Sequence, residues 1–191
     1  MKTTHYLPTL VITQRSETKT LERKVLTYHH EAMQNMQDHF GDDMMRQLCK
    51  QGNFNNIEFF FCGRLKSALG QAMTRQGCKE VGRIKMHKKF FLDNADSLDQ
   101  LRNTYIHELA HVLVNRIYGR SQKHNANWTK LFKILGGDGE QYHTQDISKY
   151  RPQNKTYYVS CECGTFKARR KHYLDPSRFT CRKCHQKLRK G

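Results

Sequence analysis

Residues 107 to 111 read His-Glu-Leu-Ala-His, and a further histidine, His124, follows thirteen positions later. Positions i and i+4 lie on one face of a helix, so a helix here presents the His107 and His111 imidazoles to one point. Glu108 is offset around the axis and can hold a water there rather than ligate. Two histidines, a third ligand and an open position for water make a catalytic zinc site, in which the water loses its proton near neutral pH. The chain has 11 histidines, so the plain alternative is two polar positions on an amphipathic helix. The flanks Leu109, Ala110, Val112, Leu113 and Ile117 argue against it. An imidazole in apolar surroundings needs a partner, and a metal supplies one.

The pattern around the motif predicts two helices. Leu98 to Tyr118 contains no Pro or Gly, with Asp96 or Ser97 as N-cap, Asp99 in the first turn and Gly119 as the stop. After a loop, Ala126 to Leu135 carries Trp128, Leu131, Phe132 and Leu135 on one face and ends at Gly136 and Gly137. His124 falls just before this second helix. A chain folded back at that junction brings it to the first helix and completes a three-histidine site.

The other metal-like constellation is C-terminal. Cys161 and Cys163 form one close pair, Cys181 and Cys184 another, with 17 residues between. This spacing predicts a zinc ribbon in which two turns give two thiolates each to one tetrahedral zinc. Gly164 stands where a knuckle glycine would, and Phe166, Tyr173, Leu174 and Phe179 are the candidates for its core. So small a core needs the metal to fold. Disulfides are the competing reading. The short Leu7 to Ile12, broken by Pro8 and Thr9, does not read as a secretory segment, which favours reduced thiols and a cytoplasmic location. Cys49, Cys62 and Cys78 are scattered and read as small buried apolar residues.

The net charge is +17, from 34 Lys and Arg against 17 Asp and Glu. From Arg151 onward there are twelve Lys or Arg, and Glu162 and Asp175 are the acids. More than half of the excess thus lies in the last 41 residues. Lys167, Arg169, Arg170, Lys171, Arg178, Arg182 and Lys183, interleaved with Tyr157, Tyr158, Phe166, Tyr173 and Phe179, suit a nucleic-acid backbone. The alternative is a solvated basic surface, with part of the charge offsetting four thiolates. The chain lacks the long apolar run of a membrane span and a basic amphipathic helix in the tail.

The remaining chain predicts a helix from Thr18 to Phe40, ended by Gly41, and strands at Ile57–Cys62, Arg64–Met73 and Gly82–His87. In the second strand, Lys66, Ala68, Gly70 and Ala72 share one face, and the small residues among them allow close approach of a helix. Lys88 to Asp96 reads as a loop. His29 and His30 read as surface or satisfied core residues. The expected fold is α+β with a small three-stranded sheet in residues 1–150, followed by a basic ribbon in 151–191.

The combination of HELAH, a tyrosine-glycine, a third histidine with a tryptophan (HNANW) and a basic C-x-C…C-x2-C ribbon resembles the SprT family. The upstream RLKSALGQA and GRIKMH segments are similar to that family's strands before the metal helix. The resemblance covers residues 15 to 188, follows the short bacterial members, and extends more distantly to the eukaryotic protease Spartan, which cleaves proteins crosslinked to DNA. It implies a zincin-like fold, one catalytic zinc on His107, His111 and His124, Glu108 as catalytic base, one structural zinc on the four cysteines, and a DNA-linked role for the ribbon. DNA and DNA-bound proteins are then the expected partners, and the cytoplasm, at the nucleoid when DNA is bound, the expected compartment. Asn125 stands where the family usually has glycine, and asparagine tolerates the left-handed backbone such a glycine adopts.

Two readings remain open from sequence. One is a zinc metallopeptidase held on DNA by its ribbon. The other is a non-proteolytic nucleic-acid-binding or regulatory protein with two structural zincs, the helix site being closed by a fourth ligand such as His143 or a nearby acid. A zinc nuclease fits less well, because such sites need several carboxylates and the segment around His107 offers only Glu108.

Overall fold

A computed structural model describes residues 8–12, 16–51, 56–73, 82–119, 122–140, 145–151, 153–170 and 172–191, without the side chains of 47–51. The expectations for Cys78, His143, Lys171 and the Cys49 side chain lie outside the described residues. The chain divides into two compact units, Met1–Tyr150 and Arg151–Gly191.

The first unit is mixed α+β. It begins with strand β1, Leu10–Ile12, and helix α1, Lys19–Gln51. Gly41 interrupts α1 with φ 72 and ψ 163, a conformation that side chains disfavour. The glycine breaks the helix where the sequence predicts, but a second helical stretch resumes after it. Leu21, Val25, Ala32, Met33, Met36 and Met45 form the buried face of α1.

Strands β2 (Ile57–Cys62), β3 (Gly70–Met73) and β4 (Arg83–His87) join β1 in one sheet of order β1-β2-β4-β3. The sheet therefore has four strands rather than the expected three. Three residues of β1 are too few to leave a period-2 signature. β1, β2 and β4 run parallel, and β3 pairs antiparallel with β4 at the edge. In β2, Ile57, Phe59 and Phe61 are buried and alternate with half-buried Glu58, Phe60 and Cys62. Cys62 is thus half-buried, not the buried residue expected.

Two further expectations need correction. Only Gly70–Met73 of the strand expected at Arg64–Met73 is extended. Residues 63–69 are turn and irregular chain. The segment expected as a loop contains helix α2, Lys88–Asp93. The His87 side chain caps it, accepting a hydrogen bond from Phe90 N at 3.1 Å. A histidine in that role carries no ordinary sequence signal, since Ser, Thr, Asp and Asn are the usual caps.

Helix α3, Leu98–Ile117, carries the HELAH motif, and α4, Ala126–Ile134, follows. Ser97 is the α3 N-cap by position but makes no side-chain cap bond. α3 packs against α1, β3, β4 and α4. Tyr105 of α3 meets Phe59 at 5.7 Å between ring centroids, and Phe61 meets Phe91 of α2 at 6.1 Å. These edge-on aromatic pairs tie the sheet to the helices. Trp128, Leu131, Phe132 and Leu135 are all buried, as their spacing predicts.

The second unit is a three-stranded sheet of order β6-β5-β7, built from β5 (Lys155–Cys161), β6 (Gly164–Arg170) and β7 (Arg189–Lys190). The β5–β6 hairpin closes at Gly164, whose φ of 121 suits glycine alone. Of the four residues expected as its core, only Leu174 is buried, together with Val159 of β5. Phe166, Tyr173 and Phe179 are exposed. A sheet of this size has too little interior to hold them.

Candidate metal centre

Three imidazoles converge in the first unit. His124 Nε2 stands 3.0 Å from His111 Nε2 and 3.1 Å from His107 Nε2. Tetrahedral zinc–imidazole geometry places nitrogen ligands about 3.3 Å apart, so the donor set fits such an ion. A neutral imidazole nitrogen is either one donor or one acceptor, so His124 Nε2 cannot pair well with both neighbours, whereas a cation between them takes a lone pair from each. Burial, and then the charge of His124, pushes His111 down to about 4, and burial lowers His124. Both therefore favour the neutral form that ligates.

The local folding is readable from the residues. His107 and His111 are one helical turn apart on α3. His124 reaches them because the chain reverses and α4 starts at once, with Asn125 as its N-cap. The Asn125 side chain accepts from Trp128 N at 3.0 Å, satisfying one of the free donors of the first turn. Its φ is −82 and ψ −178. The left-handed tolerance expected of Asn125 is therefore not what the loop uses. Lys123, two residues earlier, takes the positive φ of 40.

Trp128 forms the floor of the centre. Its ring lies 4.8, 5.2 and 4.5 Å from the rings of His107, His111 and His124, and it is fully buried. The sequence marks it as part of an apolar face and of the HNANW motif, with no sign of this contact. One rigid indole touching all three imidazoles limits their rotation.

Glu108 is buried at 8% exposure. Burial raises its carboxyl to about 7, against a hydrogen bond from the Ala72 backbone. Edge strand β3 makes room for it. A Cβ on Gly70 would fall 2.6 Å from Glu108 Cγ and Oε1, so the small-residue face predicted for this segment admits a close approach of α3. Among the described residues, the histidine cluster contains neither Glu108 nor another acid.

A cavity of about 200 Å³ opens onto the centre, lined by residues that include Gly70, Gln100, Asn103, His107, Glu108, His124 and Glu140. Glu140 had no sequence signal. Its place depends on the loop after α4, whose path cannot be read from spacing.

In the second unit, Cys161, Cys163, Cys181 and Cys184 place their sulfurs within 4.8 Å of one another. Tetrahedral zinc thiolates sit about 3.8 Å apart, so this set also fits zinc. The backbone N–H groups of Cys184 and Lys183 lower the Cys181 thiol to about 6, and hydrogen bonding with Cys184, then burial, raises Cys163 to about 12. Lys167, Arg169 and Arg170 are exposed on β6, and Arg178, Arg182 and Lys183 are exposed in the segments that follow. Arg178 pairs with Asp175 at 3.6 Å, leaving the others as the freer charge.

A mixed α+β unit in which an HELAH helix and the loop after it bring three histidines together defines a class of domain with a donor set suited to a metal, and comparison gives the family. A model of the SprT-like family matches residues 30–148. The chain belongs to the SprT-like family. Protein SprT of Vibrio atlanticus is 25% identical over 57% of this chain and 66% of its own length. Protein SprT of Photorhabdus laumondii is 33% identical over 43% of this chain and 44% of its own. Protein SprT of Glaesserella parasuis is 32% identical over 43% of this chain and 54% of its own. The matches thus span from under half to about two thirds of those proteins. No solved structure gives a significant match. Among the described residues, no helix is long and apolar enough to cross a membrane.

Proposed function

We propose that this protein is a zinc-dependent metallopeptidase of zincin-like fold, carried to its substrates by a zinc ribbon that binds DNA. The observation that carries the reading is the meeting of three Nε2 atoms beside the buried carboxylate of Glu108, at a cavity large enough for part of a peptide. A zinc ion held by His107, His111 and His124 would supply Lewis acidity towards a water and a scissile carbonyl. Glu108, raised towards neutrality by burial, takes a proton from the attacking water and returns it to the leaving amine. Trp128 and the Ala72 amide fix the imidazoles and the carboxylate, so little reorganisation accompanies the step.

The ribbon supplies location. Its exposed Lys and Arg suit phosphates, and exposed Tyr158, Phe166, Tyr173 and Phe179 suit bases. Proteins bound or crosslinked to DNA are then the substrates, and the nucleoid in the cytoplasm is the working place. The experiment is cleavage of a DNA-binding protein, with and without DNA, by the zinc-loaded chain and its Glu108→Gln variant. Cleavage requiring both Glu108 and DNA is the expected result. DNA binding and retained zinc without any cleavage would replace the proposal with a binding protein holding two structural zincs.

A further inference from the structure

Glu140 stands in the wall of the same cavity as His107, Glu108 and His124, and the loop that carries it is built to hold it there. Arg102 Nη1 donates to the Gly136 carbonyl at 2.7 Å. Asn103 donates from Nδ2 to Asp138 Oδ2 at 2.6 Å and accepts from Asp138 N at 3.3 Å. Asp138 Oδ1 in turn accepts from Glu140 N at 2.9 Å. α3 therefore grips the loop from the turn preceding His107. Both carboxylate oxygens of Asp138 are engaged in this grip. The Glu140 carboxylate has no ion pair among the described residues.

We infer that Glu140 is a specificity-determining residue, selecting a polypeptide with a Lys or Arg side chain beside the bond placed at the centre. The inference rests on the peptidase reading and names its substrate class. A carboxylate carried on an anchored stretch of backbone in the wall of a cavity of about 200 Å³ attracts a cationic side chain and repels an acidic one. It also disfavours phosphates, so the cleft and the basic ribbon would sort one complex into two parts. Cationic protein segments enter the cleft, and the nucleic acid stays on the ribbon. Glu140 is exposed, so its contribution is that of a solvent-screened pair.

The test uses the zinc-loaded full chain and three unstructured quenched peptides that differ only in Lys, Gln or Glu flanking a common scissile pair. The readout is the kcat/KM ratio between Lys and Gln peptides within each protein. The expected result is a preference for Lys that falls about three- to fivefold in Glu140→Gln and reverses in Glu140→Lys. It should shrink as salt rises, while Asp43→Asn, which removes a similar charge from α1, leaves the ratio in place. An unchanged ratio in both Glu140 variants overturns the inference. A second arm measures anisotropy of the labelled peptides on zinc-loaded Glu108→Gln, with and without Glu140→Gln. If no peptide is cleaved by any protein, with DNA added or without it, the peptidase reading falls and this arm still decides the role of Glu140. Selective weakening of the Lys peptide supports it, and equal binding of all three peptides before and after the change overturns it.

Discussion

Gly70 and Glu108 touch so closely that a methyl group on the glycine would lie 2.6 Å from the carboxylate's Oε1 and its Cγ. An edge strand and a helix thus share one space, and the side chain of the helix has taken all of it. Gly70→Ala is expected to leave the sheet formed but to push Glu108 from its place. Peptidase activity should fall about a hundredfold, the scale of a 1 Å misplacement, with zinc content at the histidines unchanged. Activity and zinc measured on the same preparation check this. Full activity would mean that the carboxylate has a second workable position.

Trp128 should matter to the metal as much as to the core. Trp128→Ala is expected to cost about 3–5 kcal/mol, as for other buried aromatic deletions, and to weaken zinc binding. Trp128→Phe should recover most of the stability and only part of the affinity, because a smaller ring leaves some imidazole freedom. Thermal unfolding and competition with a chelator separate the two effects.

Asn125 offers a finer test of how His124 is delivered. Asn125→Ala removes the cap on Trp128 N and should cost about 1 kcal/mol. Asn125→Asp should be near neutral, since a carboxylate accepts the same bond and suits a helix N-terminus. Asn125→Gly should cost only a few tenths of a kcal/mol. A large loss in Asn125→Gly would show that more than the cap depends on this side chain.

His29 predicts a pH dependence that does not involve the metal. Its Nε2 lies 2.7 Å from the Pro8 carbonyl and its Nδ1 2.8 Å from the Tyr105 hydroxyl. The carbonyl only accepts, so Nε2 carries the proton and Nδ1 accepts from Tyr105. Burial first, opposed by the Pro8 bond, pushes His29 down to about 4. The unfolded chain binds this proton near the ordinary value of 6.5 and the folded chain does not. Stability from this group is therefore complete above pH 6.5 and lost as pH falls towards 4, by up to about 3 kcal/mol. Urea unfolding of zinc-loaded protein between pH 4 and 7 should show that slope, and His29→Gln should lose this share of it.

The ribbon should stand or fall with its thiolates. Val159 and Leu174 are its buried apolar residues among those described, far short of what an independent fold needs. Cys184→Ser is expected to melt residues 151–191 and abolish DNA binding, leaving the fold of the first unit intact. Amide exchange resolved along the chain would show this directly.

These residues also mark where sequence is informative. His107, His111 and His124 are legible because one helical turn and one reversal bring them together, and both leave periodic or capping signals. The cysteine quartet is legible from spacing alone. The strand expected at Arg64–Met73 shrinks to four residues because alternation of small and polar residues does not distinguish a strand from an irregular chain. β1 and α2 are short elements held by the core around them, through contacts such as Leu10 and Phe91. Glu140 is set by hydrogen bonds from α3 to a distant loop, and no local pattern encodes those. Phe166, Tyr173 and Phe179 look like core to a hydrophobicity argument, yet the ribbon is too thin to enclose them.

The three histidines of the centre fall within residues 107–124. Most protein sites recruit their groups from across the chain and must wait for the whole molecule to assemble. Here the loop to be closed is short, so the entropy lost in bringing the ligands together is small. Two of the three are already aligned once a single helix forms. A metal ion held there would therefore join α3 to α4 before the sheet is complete, an early pin for the fold whatever chemistry the centre performs.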